Sequence, residues 1–375
     1  MINEERLQKR FIELVEIDSP SGHEARLRDF LKDIWQQRGL FIEEDEAGRR
    51  LGGDSGNILI RVPGTRPGPA ILFCAHMDTV EPGRGIKARV DEDGYIRSAG
   101  ETILGSDDKV AIAALLEVYD CLQENQLPYP DLEFLFTVSE EQGLLGSKEF
   151  DFSKLKATLA YVLDDGHPPG SIVVRSPCQN GMEYIVKGQA AHAGMNPEKG
   201  VNAIQAAAAA LAKMPCGRID EETTCNFGLI QGGTARNIVA DYCKIYGEAR
   251  SLNEKKLESL SEKLKSIFIE EVERYGASAE VNVKFLYPAV TLDASQEVCR
   301  LAQKAASRIG LPCREVSTGG GSDASIINGH GIPCANLSVG MQEVHTCQEQ
   351  IAVDDISRVA RWILAIIEEA VQSVD

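Results

Sequence analysis

Five short stretches of the chain carry residues that bind metals or move protons. They are His76-Met77-Asp78, Gly105-Ser106-Asp107-Asp108-Lys109, Glu140-Glu141, Asp164-Asp165 and the lone His345. His76, Asp107, Glu141, Asp164 and His345 make a nitrogen–oxygen donor set without thiolate, suited to zinc, cobalt or manganese. One catalytic zinc takes three protein ligands, so five are enough for two ions if one carboxylate bridges. Ions about 3.5–4 Å apart can share a water and lower its pKa toward neutrality. Glu140 adjoins Glu141 and is expected to point elsewhere, free to act as general base on that water and later as acid to a leaving amine. Asp78 lies two residues past His76, on the same side of a strand. There it can hold the imidazole tautomer and raise its basicity. Asp165 rivals Asp164 as a ligand, and spacing alone leaves both open.

The elements that must position these residues are legible as patterns. Ala70-Ile-Leu-Phe-Cys-Ala75 is an apolar run without a polar break, which fits a strand buried on both faces of a parallel sheet. Similar runs at 132–138, 158–163 and 332–339 precede Glu140-Glu141, Asp164-Asp165 and His345. Any one such motif is ordinary; acids at a helix start, as at Asp107-Asp108, are favoured by capping and the dipole alone. Four strands that each deliver a ligand or acid just past their carboxyl ends are harder to ascribe to chance, because an open α/β sheet brings those ends to one crevice.

Elsewhere the pattern predicts helices over 4–17 and from Ser21 to about Arg38, the second opened by a Ser21–Glu24 capping box. A short ribbon is expected over 86–97, turning at Asp93-Gly94. From 181 to 286 the order reads strand, Ala-rich helix, strand, strand (238–249), long charged helix, strand, the split βαβ arrangement. This predicts an inserted second domain over 179–288, between catalytic parts at 1–178 and 289–375. Helices over 295–309 and 354–372 close the first domain.

Composition sets the class. The 375 residues are 43% hydrophobic and 26% charged, as in a globular protein with a large core. A net charge of -18 argues against a nucleic-acid partner. The ten cysteines form no C-x-x-C pair and read as buried thiols of a reducing compartment. Residues 1–10 have no signal-peptide apolar core, and no apolar run approaches the roughly 18 residues of a membrane span. A soluble cytoplasmic protein is expected.

Taken together, His76-Met-Asp78, Gly105-Ser-Asp107-Asp108-Lys109, Glu140-Glu141, Tyr161-Val-Leu-Asp164, His345 and the inserted domain resemble the co-catalytic dizinc exopeptidases. That family includes peptidase T, the aminoacylases and succinyl-diaminopimelate desuccinylase, and the likeness spans essentially the whole chain. It implies a phosphorylase/hydrolase-like three-layer αβα catalytic domain with a ferredoxin-like lid. It implies two divalent metal ions, zinc first and cobalt or manganese as alternatives. Asp107 would bridge them, His76 and Asp164 completing one site and Glu141 and His345 the other. The Asp107–Asp108 peptide would be cis. In the lid, His192 would stabilise the oxyanion, while Asn237 and Arg250 would bind the substrate backbone or carboxylate. The Gly319-Gly320-Gly321-Ser322-Asp323 loop would line the pocket, Gly320 and Ser322 among its contacts. A homodimer through the lid is implied as well.

Peptidase T carries an arginine where this chain has Gly319, which leaves strict tripeptide specificity open. Glutamyl aminopeptidases insert a small domain between the first His-x-Asp and the bridging aspartate, and residues 77–106 leave no room for it. The implied activity is release of the N-terminal residue from short peptides, tripeptides foremost. An amidohydrolase of N-acyl amino acids is the alternative, and a non-catalytic peptide-binding protein the remaining one.

Overall fold

The computed structural model describes residues 1–372. The chain divides into two compact units, one formed by residues 1–174, 291–317 and 322 onward, the other by 175–290 with 318–321.

The larger sheet runs in the order Ile42–Glu44, Ile58–Val62, Leu132–Thr137, Ile71–His76, Leu159–Val162, Cys334–Leu337, Ser171–Ser176 and Val290–Thr291, with Arg314–Ser317 also paired to Ser171–Ser176. Ile71–His76 lies near its middle, parallel to Leu132–Thr137 on one side and Leu159–Val162 on the other. Cys334–Leu337 continues the parallel set. All six residues of Ile71–His76 are buried, as an unbroken apolar run requires.

Helices cover both faces. On one, Phe73 stacks with Tyr161 at 5.6 Å and meets Phe134 at 6.3 Å. Trp35 of helix Ala25–Gln37 lies 5.3 Å from Phe134, and Tyr161 donates its hydroxyl to the Val298 carbonyl of helix Glu297–Arg308. Burying each such phenylalanine is worth roughly 1.5–3 kcal/mol. On the other face Thr137 donates to Asp323, the first residue of helix Asp323–Gly329. Because the central strands are parallel, their carboxyl ends come to one edge.

A three-stranded sheet, Gln350–Ala352, Tyr95–Ser98 and Ala88–Val90, stands beside it. Its ribbon turns at Gly94 (φ 82°), as Asp93-Gly94 predicts. Gln350–Ala352 is too short to show a pattern in the sequence.

The second unit holds an antiparallel sheet in the order Gly217–Asp220, Thr223–Gly232, Tyr242–Ser251, Cys178–Lys187 and Ser278–Tyr287. Met182, Tyr184 and Val186 are buried while Gly181, Glu183 and Ile185, each one residue before, are half-exposed, the alternation of a sheet covered on one side. Tyr184 meets Phe268 of helix Glu254–Arg274 at 4.8 Å, and Ala206, Ala207 and Ala210 of helix Ala203–Leu211 join the same core. Gly217–Asp220 is an additional edge strand that the sequence pattern does not reveal.

Two local expectations are corrected. The strand expected over 238–249 begins at Tyr242, because residues 233–241 form a loop entered through Gly233 (φ 71°). The Ser21–Glu24 capping box does not form. At helix Ala25–Gln37 the Ala25 N–H is taken by Asp54 Oδ1 at 2.9 Å, while the Ser21 and Glu24 side chains bond the partners described below. No helix among the described residues is long and apolar enough to cross a membrane.

Candidate metal centre

His76 ends its strand opposite Thr137. Three residues past Thr137 comes Glu140, and Asp164 follows Leu159–Val162. Asp107 stands at the start of helix Ser106–Glu124, where it and Asp108 depart from helical dihedrals across a cis peptide. His345 lies in the loop between Cys334–Leu337 and Gln350–Ala352, with a left-handed φ of 64°. Ser139, just before Glu140, also has a positive φ, 49°. Such conformations cost of order 1–3 kcal/mol each and persist where the surroundings hold them.

These segments converge. His76 Nε2 is 3.0 Å from Asp107 Oδ1, and His345 Nε2 is 3.3 Å from Asp107 Oδ2. Asp107 thus faces one histidine with each oxygen. His345 Nε2 is also 2.8 Å from Glu141 Oε1. The ligating atoms of His76, Asp107 and Glu141 lie within 4.8 Å of one another, as do those of His76, Glu140 and Asp164. Glu140 and Glu141 therefore fall in different triads, and Glu140 stands among donors rather than apart from them. Asp165 turns away: its Oδ2 accepts from the Ser338 hydroxyl and from the His167 backbone N–H at 3.1 Å. Successive residues at a strand end point opposite ways, which separates the pair.

The electrostatics fit a cation. Burial pushes the Glu140, Asp164, Asp108 and Glu141 carboxyls upward. Asp107 resists its own burial and stays below the usual range because His345 and His76 bond to it. His345, bonded to Asp107 and Glu141, is raised to about 10. Carboxylates crowded out of water need a compensating positive charge. Two histidines supply too little, and an all nitrogen–oxygen donor set suits zinc, cobalt or manganese.

The Asp78 contacts differ from those expected. His76 Nδ1 lies 2.9 Å from the Asp78 backbone carbonyl and 3.5 Å from its carboxylate. The nearer partner of the imidazole is thus the carbonyl. The fully buried carboxylate also accepts, at shorter range, the backbone N–H groups of Glu140 (2.8 Å) and Glu141 (3.2 Å) and the hydroxyl of Ser21 (2.6 Å). It fixes the turn that carries both glutamates.

Two further carboxylates matter that the sequence pattern does not single out. Buried Glu24 accepts from Gly22 N–H (2.8 Å) and from the backbone (3.0 Å) and hydroxyl (3.2 Å) of Ser139, so it holds the positive-φ residue before Glu140. Buried Glu349 binds the 104–107 loop. Glu24 has the spacing of an ordinary cap; for Glu349 the only local cue is an acid four residues past His345.

In the second unit, His192 is exposed, and its Nδ1 accepts from Gly194 N–H (3.2 Å) and Met195 N–H (3.1 Å). The neutral ring then carries its proton on Nε2, as a free donor. Ala193 N–H bonds the Asn237 carbonyl at 3.0 Å, which sets the His192 and Asn237 segments side by side. Arg250 is held by both oxygens of Glu248 (3.0 and 3.1 Å) and reaches the Gly319 carbonyl at 3.4 Å. Around Gly320 a Cβ would meet nothing within 4 Å, whereas at Gly321 it would lie 2.4 Å from the Tyr287 ring. Ser322 belongs to the first unit. Its hydroxyl caps helix Asp323–Gly329 and accepts from Asn336, whose Oδ1 in turn accepts the Asp164 N–H at 2.9 Å.

Comparison with known proteins agrees with this geometry. Residues 179–276 match the peptidase dimerisation domain of M20 enzymes, and 57–192 match peptidase family M28. An uncharacterised Bacillus subtilis protein, YqjE, is 43% identical over 99% of this chain and all of its own length. The crystal structure of aminopeptidase PepT from Bacillus cereus is 43% identical, covers 98% of this chain and 99% of its own, and superposes with a TM-score of 0.89. This chain belongs to the M20 family of dizinc exopeptidases related to peptidase T. A tripeptidase from Staphylococcus aureus is 38% identical over 99% of this chain and all of its own, with a TM-score of 0.94. Family membership accounts for the two-part architecture, a catalytic unit interrupted by a dimerisation domain.

Proposed function

We propose that this chain is a dizinc aminopeptidase that releases the N-terminal residue from short peptides, tripeptides foremost. The observation that carries the reading is the convergence of His76, Asp107, Glu140, Glu141, Asp164 and His345 at one sheet edge. Aminopeptidase PepT and the tripeptidase, at 43% and 38% identity over nearly full length, support the substrate class. We take residues 179–288 as a ferredoxin-like lid inserted in a phosphorylase/hydrolase-like catalytic domain.

His76, Asp107 and Asp164 would hold one divalent ion, and Asp107, Glu141 and His345 the other. Bound there, the pair supplies an acidified water and polarises a carbonyl. The remaining work falls to the chain. Glu140 takes the proton from the attacking water and returns it to the departing amide nitrogen. Its carboxyl is buried beside His76 and Asp164. Asp78 keeps Glu140 in place through its backbone N–H. The His192 Nε2–H donates to the carbonyl oxygen as negative charge grows on it. Arg250, oriented by Glu248, meets the peptide carboxylate with its remaining N–H groups, and Asn237 bonds the substrate backbone. Gly320 and Ser322 belong to the glycine loop assigned to the pocket wall. The dimerisation-domain match over 179–276 supports pairing of two copies through the lid.

The test is a panel containing Ala-Ala-Ala and N-acetyl-alanine, run with zinc, cobalt or manganese restored. Release of alanine from the tripeptide is expected. Cleavage of N-acetyl-alanine alone would turn the reading to an amidohydrolase, and protein that binds no divalent ion would end it. Glu140→Gln should bind metal normally and lose most turnover; unchanged turnover removes Glu140 as base.

A further inference from the structure

We propose that Glu349 is a positioning residue that couples the Asp107 and His345 segments and so sets the affinity of the metal site they share. The inference rests on the dimetal reading above. Glu349 is 1% exposed, and its carboxylate gathers donors from four consecutive residues. Oε2 accepts the backbone N–H groups of Leu104 and Gly105, each at 2.8 Å. Oε1 accepts the Ser106 hydroxyl at 2.5 Å and the Asp107 N–H at 3.2 Å.

These donors need an outside partner. Helix Ser106–Glu124 begins with orphan N–H groups, as every helix does. Its N-cap, Gly105, has no side chain to offer and sits at a left-handed φ of 74°. The cap arrives instead from a residue more than 240 positions away, and it brings a negative charge to the positive end of the helix.

The other end of the link is the His345 loop. Gln342 and Gln350 exchange backbone hydrogen bonds of 2.9 and 3.0 Å, which close residues 342–350 into a loop. Glu349 stands at its base and His345 near its tip, at positive φ. His76 ends a central parallel strand and Asp164 comes two residues past another, so the sheet holds them, while Glu141 sits in the turn that Asp78 fixes. Asp107 and His345 have no such anchor. One buried carboxylate joins the two loops that carry them, and their side chains meet at 3.3 Å. The site using both should therefore depend on Glu349 more than the site built on His76 and Asp164.

The test uses full-length protein stripped of metal by a chelator and titrated with zinc against a chromophoric competitor. His345→Ala identifies the binding step that belongs to the His345 site. Glu349→Ala should weaken that same step about 10–100-fold, the usual cost of losing a group that orients a metal ligand, and weaken the other step, which shares only Asp107 with the linked loops, by less. Glu349→Gln is nearly isosteric. Its oxygen can keep Leu104 and Gly105 and its amide can donate to Ser106, so only the Asp107 N–H loses an acceptor and the loss should be smaller. Amide hydrogen exchange should quicken over 104–108 in the alanine variant. Unchanged affinity of the His345 step in both variants overturns the proposal, as does equal weakening of both steps. Wild-type protein that takes up no zinc removes the dimetal reading, and this proposal with it.

Discussion

Asp78→Asn isolates what the Asp78 carboxylate does. The wild-type group accepts from Glu140 N–H at 2.8 Å, the Ser21 hydroxyl at 2.6 Å and Glu141 N–H at 3.2 Å, entirely out of water. An asparagine has one oxygen and one NH2. With the oxygen toward Glu140, the NH2 can still donate to Ser21 but confronts the Glu141 N–H. Turned over, it keeps Ser21 and Glu141 and orphans the Glu140 N–H. Either way one buried backbone donor is unpaired, at about 1–3 kcal/mol, and the surviving bonds lose their ionic strengthening, about 1 kcal/mol each. We expect roughly 3 kcal/mol of destabilisation in urea unfolding of metal-free protein. We also expect a fall of about 10–100-fold in kcat/KM on Ala-Ala-Ala, with faster hydrogen exchange at the Glu140 and Glu141 amides. If the carboxylate worked through the imidazole instead, zinc affinity would drop while those amides kept wild-type exchange. A variant with unchanged stability and unchanged amide exchange refutes the reasoning.

Burial first, and the Asp78 carboxylate next, push the Glu24 carboxyl up to about 7 from an ordinary 4.5. An acid raised by folding holds its proton more tightly in the native state, so its cost is absent below about 4.5 and complete above about 7. Wild type should lose roughly 3 kcal/mol relative to Glu24→Gln as pH rises from about 5 to 8, and a pH-independent difference between the two would contradict this. Phe268→Ala empties the centre of the second unit, where Phe268 is fully buried against Tyr184, and should cost about 3–5 kcal/mol by thermal or urea unfolding. Chelation should abolish peptide cleavage and zinc should restore it; full turnover in metal-free protein rules out the metal centre. Arg250→Ala should raise KM for Ala-Ala-Ala more than it lowers kcat, and equal KM for the peptide and its C-terminal amide in wild type would remove the carboxylate contact.

Much of the fold and the donor set is legible in the amino-acid sequence alone, and for a local reason. Apolar runs at 71–76, 132–137 and 159–162 record burial on both faces, and the residues that break them are the ones left at the sheet edge. His76, Glu140, Glu141 and the Asp164–Asp165 pair can therefore be read from order along the chain. The lid follows from its alternation of strand and helix periods. What sequence does not decide is where each carboxylate spends its oxygens. Asp164 and Asp165 differ only in which way they turn from a strand end, and Asn336 and Ser338 settle that from far along the chain. Asp78 has the spacing of a partner for His76 and its carboxylate lies 3.5 Å from the ring, but its shortest bonds go to Ser21 and the 140–141 turn. Glu24 has the spacing of a helix cap and holds Ser139 instead. Glu349 carries no visible pattern, because its four donors come from residues 104–107. Residue type and periodicity are local properties, whereas a buried carboxylate bonds to whichever donors the packed chain places around it.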